Sequence, residues 1–102
     1  MSVEFEVVEK SEYTIVHFRL SAPIKPEDLP LILSAAPVID ASKGVVLSGR
    51  APVWLHSALA HKYHPSAWIA HYDPRLGAVV IETHTPDRKV GEVLKVEGIP
   101  TD

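Results

Sequence analysis

The chain has 102 residues, 46% of them hydrophobic and 23% charged, with no cysteine and a formal net charge of -3. The length matches one domain spanning 1–102, and the absence of cysteine excludes a disulfide scaffold, a thiolate zinc finger and a thiol nucleophile. No apolar run approaches the roughly 20 residues of a membrane span, and Met1-Ser2-Val3-Glu4 lacks the basic start of a secretory signal, so a soluble cytoplasmic protein is expected, and one too acidic to bind long duplex nucleic acid.

Val3-Glu4-Phe5-Glu6-Val7 alternates apolar and acidic residues, the period of a half-exposed strand. After the polar break Glu9-Lys10-Ser11-Glu12, the β-branched and aromatic run Tyr13 to Leu20 predicts the second arm of a hairpin. Pro26-Glu27-Asp28 starts a helix with proline and acids in its first turn, running to about Ala36 before Pro37 stops it. Gly44-Val45-Val46-Leu47 suits a strand buried on both faces. Ser48-Gly49-Arg50 breaks that strand, and a helix is predicted from Val53 to His64, with Leu55, Ala58 and Leu59 on its apolar stripe and Pro65 closing it. Ala67 to Tyr72 and Ala78 to Thr83 read as antiparallel strands about the turn Asp73-Pro74-Arg75-Leu76-Gly77. Val90 to Val96 fits a short strand or helix.

The order β-β-α-β-α-β-β is that of an α/β domain. Two right-handed crossovers make the three central strands parallel, with an antiparallel strand on each side of a mixed sheet and helices packed on it.

Ligands of open α/β sheets bind beyond the carboxyl ends of the parallel strands, here Ser48-Gly49-Arg50 and Asp73-Pro74-Arg75. Gly49 lets backbone approach a ligand, the helix that follows offers unpaired N–H groups to an anion, and Arg50 and Arg75 supply guanidinium forks for phosphate oxygens. Asp73 suits a metal or a turn. The surrounding segment, residues 41–81, holds Lys43, Arg50, Lys62 and Arg75 against the single acid Asp73, together with His56, His61, His64 and His71. His61 and His64, three apart, share a face at the end of the predicted helix, where the dipole favours a protonated imidazole able to act as a general acid. His84 ends a strand antiparallel to that of Asp73, which places it on the rim of His64 and opposite Asp73. His71 is expected to pack or to face solvent, His17 and Arg19 to point outward, and Trp54 and Trp68 to anchor the core.

The run Ser48-Gly49-Arg50-Ala51-Pro52-Val53-Trp54-Leu55, with Ala58-Leu59, His61-Lys62-Tyr63-His64-Pro65, Ala70, Tyr72-Asp73-Pro74-Arg75-Leu76-Gly77, Thr83-His84 and Val90-Gly91-Glu92-Val93, resembles a family of small CRISPR-associated proteins. These accompany type III CRISPR systems as ring nucleases that cut cyclic tetra-adenylate. The resemblance covers about residues 44 to 92. It implies a fold distantly like Rossmann-type cyclic oligoadenylate sensors, a homodimer, and two dimers sandwiching the ring. It further implies His64 and Asp73 as catalytic residues, Ser48, Arg50 and Arg75 as ligand-binding, His84 as a further active-site residue, and dependence on Mn2+. Beside these, Gly49 joins the ligand-binding group and His61 the active-site candidates on their positions in the chain, and Asp73 with His84 is the expected metal pair.

Because Asp73 and His64 fall on opposite rims, the active site is expected to form where two dimers meet head to tail, a contact that closes as a tetramer or extends as a filament. Two other functions use the same residues: a sensor that binds cyclic oligoadenylate without cutting it, and a metal-dependent exonuclease trimming adenosines from RNA 3′ ends.

Overall fold

Val3–Glu9 (β1) and Tyr13–Leu20 (β2) pair antiparallel from Val3 opposite Leu20 to Glu9 opposite Thr14, so the alternation in β1 faces Val3 and Phe5 to the core. The computed structural model describes residues 2–102. Pro26–Asp28 forms a 3-10 turn, where the Asp28 carboxylate accepts the Lys25 N–H at 2.8 Å, and Leu29–Ala35 follows as helix α1. All five residues of β3, Gly44–Ser48, are buried. A Cβ on Gly44 would lie 2.0 Å from the Trp68 indole, so the glycine is the floor on which that ring rests.

Helix α2 spans Val53–Lys62 and buries Leu55 and Leu59. It ends two residues before the predicted His64, because Pro65 disfavours helical geometry at the residue before it. Tyr63 caps the helix, and its hydroxyl donates to the Pro37 carbonyl at 2.6 Å, tying the end of α2 to the loop after α1. Trp68–Asp73 (β4) and Gly77–Thr83 (β5) form the second hairpin, and Val93–Leu94 (β6) adds a short last strand.

The sheet runs β1-β2-β3-β4-β5-β6, with β2, β3 and β4 parallel and the other pairings antiparallel. Both helices cover one face, as successive crossovers of one hand require. There Phe18, Leu47, Leu55, Leu59 and Ile69 form the main core. The opposite face carries Ile15, Val46, Trp68, Ala70, Ala78 and Val80, and Leu94, Val96 and Ile99 pack over it. This second cover corrects the expectation for His17: it lies on the face of Ile15, and the segment laid across that face leaves it 2% exposed. Among the described residues no helix is long and apolar enough to cross a membrane.

Candidate functional site

The carboxyl ends of β2, β3 and β4 build one rim of the sheet. Ser48, the last residue of β3, is 2% exposed, and its Oγ lies 2.9 Å from His17 Nδ1. His17 Nε2 lies 2.8 Å from Asp102 Oδ1. An ionised carboxylate only accepts, so Nε2 carries the proton, and in a neutral ring Nδ1 accepts from the Ser48 hydroxyl.

Gly49 has φ 156, and a Cβ there would lie 2.4 Å from the Phe18 carbonyl oxygen, so this turn requires glycine. Arg50 leaves the turn with its side chain 94% exposed, its Nε 3.7 Å from Asp102 Oδ2.

Asp73 and Arg75 stand beside this turn at the end of β4. Asp73 Oδ1 accepts the backbone N–H of Arg75 at 2.8 Å, and the Arg75 guanidinium lies 3.7 Å away. That N–H first, with the nearby guanidinium, holds the Asp73 carboxyl below the ordinary aspartate range, so it is ionised at neutral pH. The turn-forming role of Asp73 is therefore realised, and it occupies Oδ1. The Arg75 side chain is 87% exposed.

Beneath the rim, His56 of α2 has Nε2 2.9 Å from the Gly49 carbonyl, so that nitrogen donates. His56 Nδ1 then accepts from His71 Nδ1, 3.1 Å away. His71 packs inward against the helix. Burial, and secondarily the neighbouring His56, push its pKa down to about 4.

The opposite rim carries a second cluster. His64 lies in the turn after α2, one residue past its cap, rather than on a helical face shared with His61. His61 is exposed and contributes its carbonyl to the His64 N–H at 3.2 Å. The His64 and His84 rings meet edge to face with centroids 5.5 Å apart. His84 Nε2 lies 2.8 Å from Glu82 Oε2 and 3.1 Å from the His64 carbonyl. One ligating atom from each of His64, Glu82 and His84 falls within 4.8 Å of the others.

A register shift brings Glu82 here. Ile69 faces Glu82 while Ala70 faces Val80, so Ile81 is an extra residue in β5. Such a bulge re-aims the side chains beyond it, turning Glu82 and His84 to the helix side, where His64 waits. Two imidazoles and a carboxylate form a donor set able to hold a first-row divalent ion, without selecting one among them.

The structure thus brings Ser48, Gly49, Arg50, Asp73 and Arg75 to one rim, adding His17 and Asp102. It gathers His61, His64 and His84 at the other, adding Glu82. The six residues of β4 separate the rims by about 17 Å. Asp73 and His84 cannot share one ion within a single chain, and neither can His64 and Asp73 share one phosphate.

Residues 17–95 match the sequence profile of a family described as CRISPR-associated protein (Cas_csx3). An uncharacterized protein of Aquifex aeolicus (strain VF5) is 43% identical over 107 residues, an alignment covering 96% of this chain and 96% of that protein.

Proposed function

The chain belongs to the CRISPR-associated family Cas_csx3, and from that premise we propose that it is a ring nuclease that cleaves the phosphodiester bonds of cyclic tetra-adenylate in the cytoplasm and so ends type III CRISPR signalling. The observation that carries this reading is the division of chemistry between the rims: anion-binding groups on one, an imidazole–carboxylate cluster on the other.

Arg50 and Arg75 are the exposed cations of the first rim, free to close on a phosphate and to stabilise the charge that grows on its oxygens during cleavage. The ionised Asp73 beside them orients Arg75 through the turn it closes. His64 is exposed and serves as general acid or base at the scissile bond. A divalent ion, Mn2+ in this reading, held by Glu82 and His84 would supply positive charge for a phosphoryl oxygen and leave the His64 imidazole to carry the proton. Dimers stacked head to tail set the Asp73 rim of one against the His64 rim of the next, and a symmetric assembly matches a ring of equivalent phosphates.

Replacing His64 or Asp73 by alanine is expected to lower cleavage at least about 100-fold in each case. Mixing the two variants restores cleavage toward about a quarter of the wild-type rate, the fraction of randomly assembled contacts that pair two intact rims. No recovery in a mixture that still assembles would sink the shared site. Tight binding of the ring without turnover in manganese would instead identify a sensor, and preference for linear oligoadenylate a 3′ exonuclease. Product analysis in chelator separates the nucleophiles: a surviving rate ending in a 2′,3′-cyclic phosphate points to the ribose hydroxyl, and a lost rate to water.

A further inference from the structure

The last residues set an acid where the anion-binding rim has its densest group of donors. Asp102 Oδ1 is 2.8 Å from His17 Nε2, and Oδ2 is 3.7 Å from Arg50 Nε. The adjoining Thr101 carbonyl accepts from Arg19 Nε at 2.9 Å and Nη2 at 2.7 Å, while Nη2 also donates to Glu6 Oε1 at 2.9 Å, a bond that holds the guanidinium toward the Thr101–Asp102 end. Three side chains from β2 and the β3–α2 turn thus converge on two consecutive residues.

Two clefts flank this contact, one of about 320 Å³ beside Arg19 and Ser21, the other of about 210 Å³ beside His17, Ser48 and Tyr72. Arg50 and Asp102 line both, so the aspartate stands as the partition between them.

The donor set is that of a phosphodiester site. An imidazole N–H and two guanidinium forks match an anion that spreads one charge over two oxygens, which describes both a carboxylate and a phosphodiester. Asp102 reaches this seat from the solvent side. Its side chain is 46% exposed, and the apolar packing of the segment stops at Ile99, three residues earlier. Residues 100–102 are thus held to the sheet by these polar contacts and not by the second core, which ends at Ile99.

We propose that His17, with Arg19 and Arg50, forms a seat for a ligand phosphodiester, and that the Asp102 carboxylate fills this seat as a built-in competitor until the ligand displaces it. The proposal rests on the reading that this rim binds a phosphate-bearing ligand, and deepens it by adding His17 and Arg19 to the binding residues. Displacement of Asp102 joins the two clefts into one groove with Arg50 at its centre. Ser48 keeps its bond to His17 Nδ1 throughout and fixes the ring so that Nε2 faces the incoming oxygen.

The competition is measurable, because apparent affinity falls by the fraction of chains whose seat is open. If the carboxylate fills nine seats in ten, its removal tightens binding about tenfold. The test titrates the full chain, Asp102→Ala, Asp102→Asn and the double variant Asp102→Ala/His17→Gln with the linear dinucleotide ApA and, separately, with inorganic phosphate. NMR signals of the His17 ring and of the 100–102 amides report occupancy, and those of the sheet amides report folding.

Asp102→Ala is expected to bind ApA about tenfold more tightly, Asp102→Asn by less, and the double variant to lose most of the gain. In the wild type, ApA should shift the 100–102 amides toward the positions of a free segment. Inorganic phosphate binding as well as ApA would assign the seat to free phosphate rather than to a diester and overturn the proposal as stated. Unchanged or weaker ApA binding by a folded Asp102→Ala chain would also overturn it, as would the absence of ApA binding by any of the chains at millimolar concentration. Ring cleavage is assayed on the same samples. Tightened ApA binding without cleavage removes the nuclease reading and leaves the seat, whereas cleavage with unchanged affinity does the reverse.

Discussion

Thr14 lies in β2 with its side chain fully buried against the helices, and its Oγ1 lacks a hydrogen-bond partner. A buried hydroxyl that lost its water without gaining a partner costs stability, and a methyl group of the same shape removes that cost. Thr14→Val is expected to stabilise the fold by about 1 kcal/mol, raising the midpoint of thermal unfolding by about 4–8 °C. Calorimetry checks this, and a lower midpoint would mean that the hydroxyl is satisfied. At this scale the sequence was legible wherever a residue's role follows from its chain neighbours. Gly49 and Arg50 were readable because they follow a buried strand and precede a helix. His17 was not, because its partners lie 31 and 85 positions away. A clue was nonetheless present: Ile15, Val46, Ala70 and Val80 make the second sheet face as apolar as the first, so something had to cover it and bury His17 with it.

Among the elements, α2 and β4 are joined by the hydrogen bond between His56 and His71. Folding holds the His71 pKa at about 4, below its ordinary 6.5. Between these values the unfolded chain binds a proton that the folded chain does not, so stability falls as pH drops from 6.5 toward 4. The loss is expected to reach about 1–2 kcal/mol, less than full linkage because the ring is partly open to solvent. His71→Gln should flatten this part of the stability profile, as urea melts across the range would register; an unchanged slope would place the titration elsewhere. The parallel core β2-β3-β4 was legible from crossover handedness, and its hairpin partners from their turns. The bulge in β5 was not, because Ile81 continues an unbroken apolar run and only the pairing with β4 shows it to be the extra residue. For that reason Glu82 escaped the sequence-based site, although it stands two positions from His84.

At the scale of the whole molecule, which extends 37 × 25 × 21 Å, the two half-sites face away from each other across the sheet. In the proposed head-to-tail assembly, a single chain presents Arg50 and Arg75 to one neighbour and the His64–Glu82–His84 cluster to another. Specific activity on cyclic tetra-adenylate is expected to rise steeply with protein concentration and then level off once the chains are assembled. A dilution series from about 10 μM to about 10 nM, run beside sedimentation measurements, checks this. Activity per chain that stays flat while the assembly dissociates would show that one chain or one dimer suffices.

Spatial order in the sheet equals chain order, from β1 to β6. Each strand therefore docks on the one made just before it, and no strand waits for a distant partner, which keeps the loop-closure entropy of every step small. Parallel sheets usually fold slowly because their pairings span long stretches of chain; here only two helical crossovers intervene. The helix-side core can consolidate while the other face is still bare. Residues 94–102 follow five of the six strands in the chain, and Leu94, Val96 and Ile99 lie over the face that holds Ile15 and Val46, with Asp102 on His17. One segment thus has two tasks: its apolar residues complete the second core, and its Asp102 occupies the proposed anion seat, so a change that loosens the first is expected to open the second.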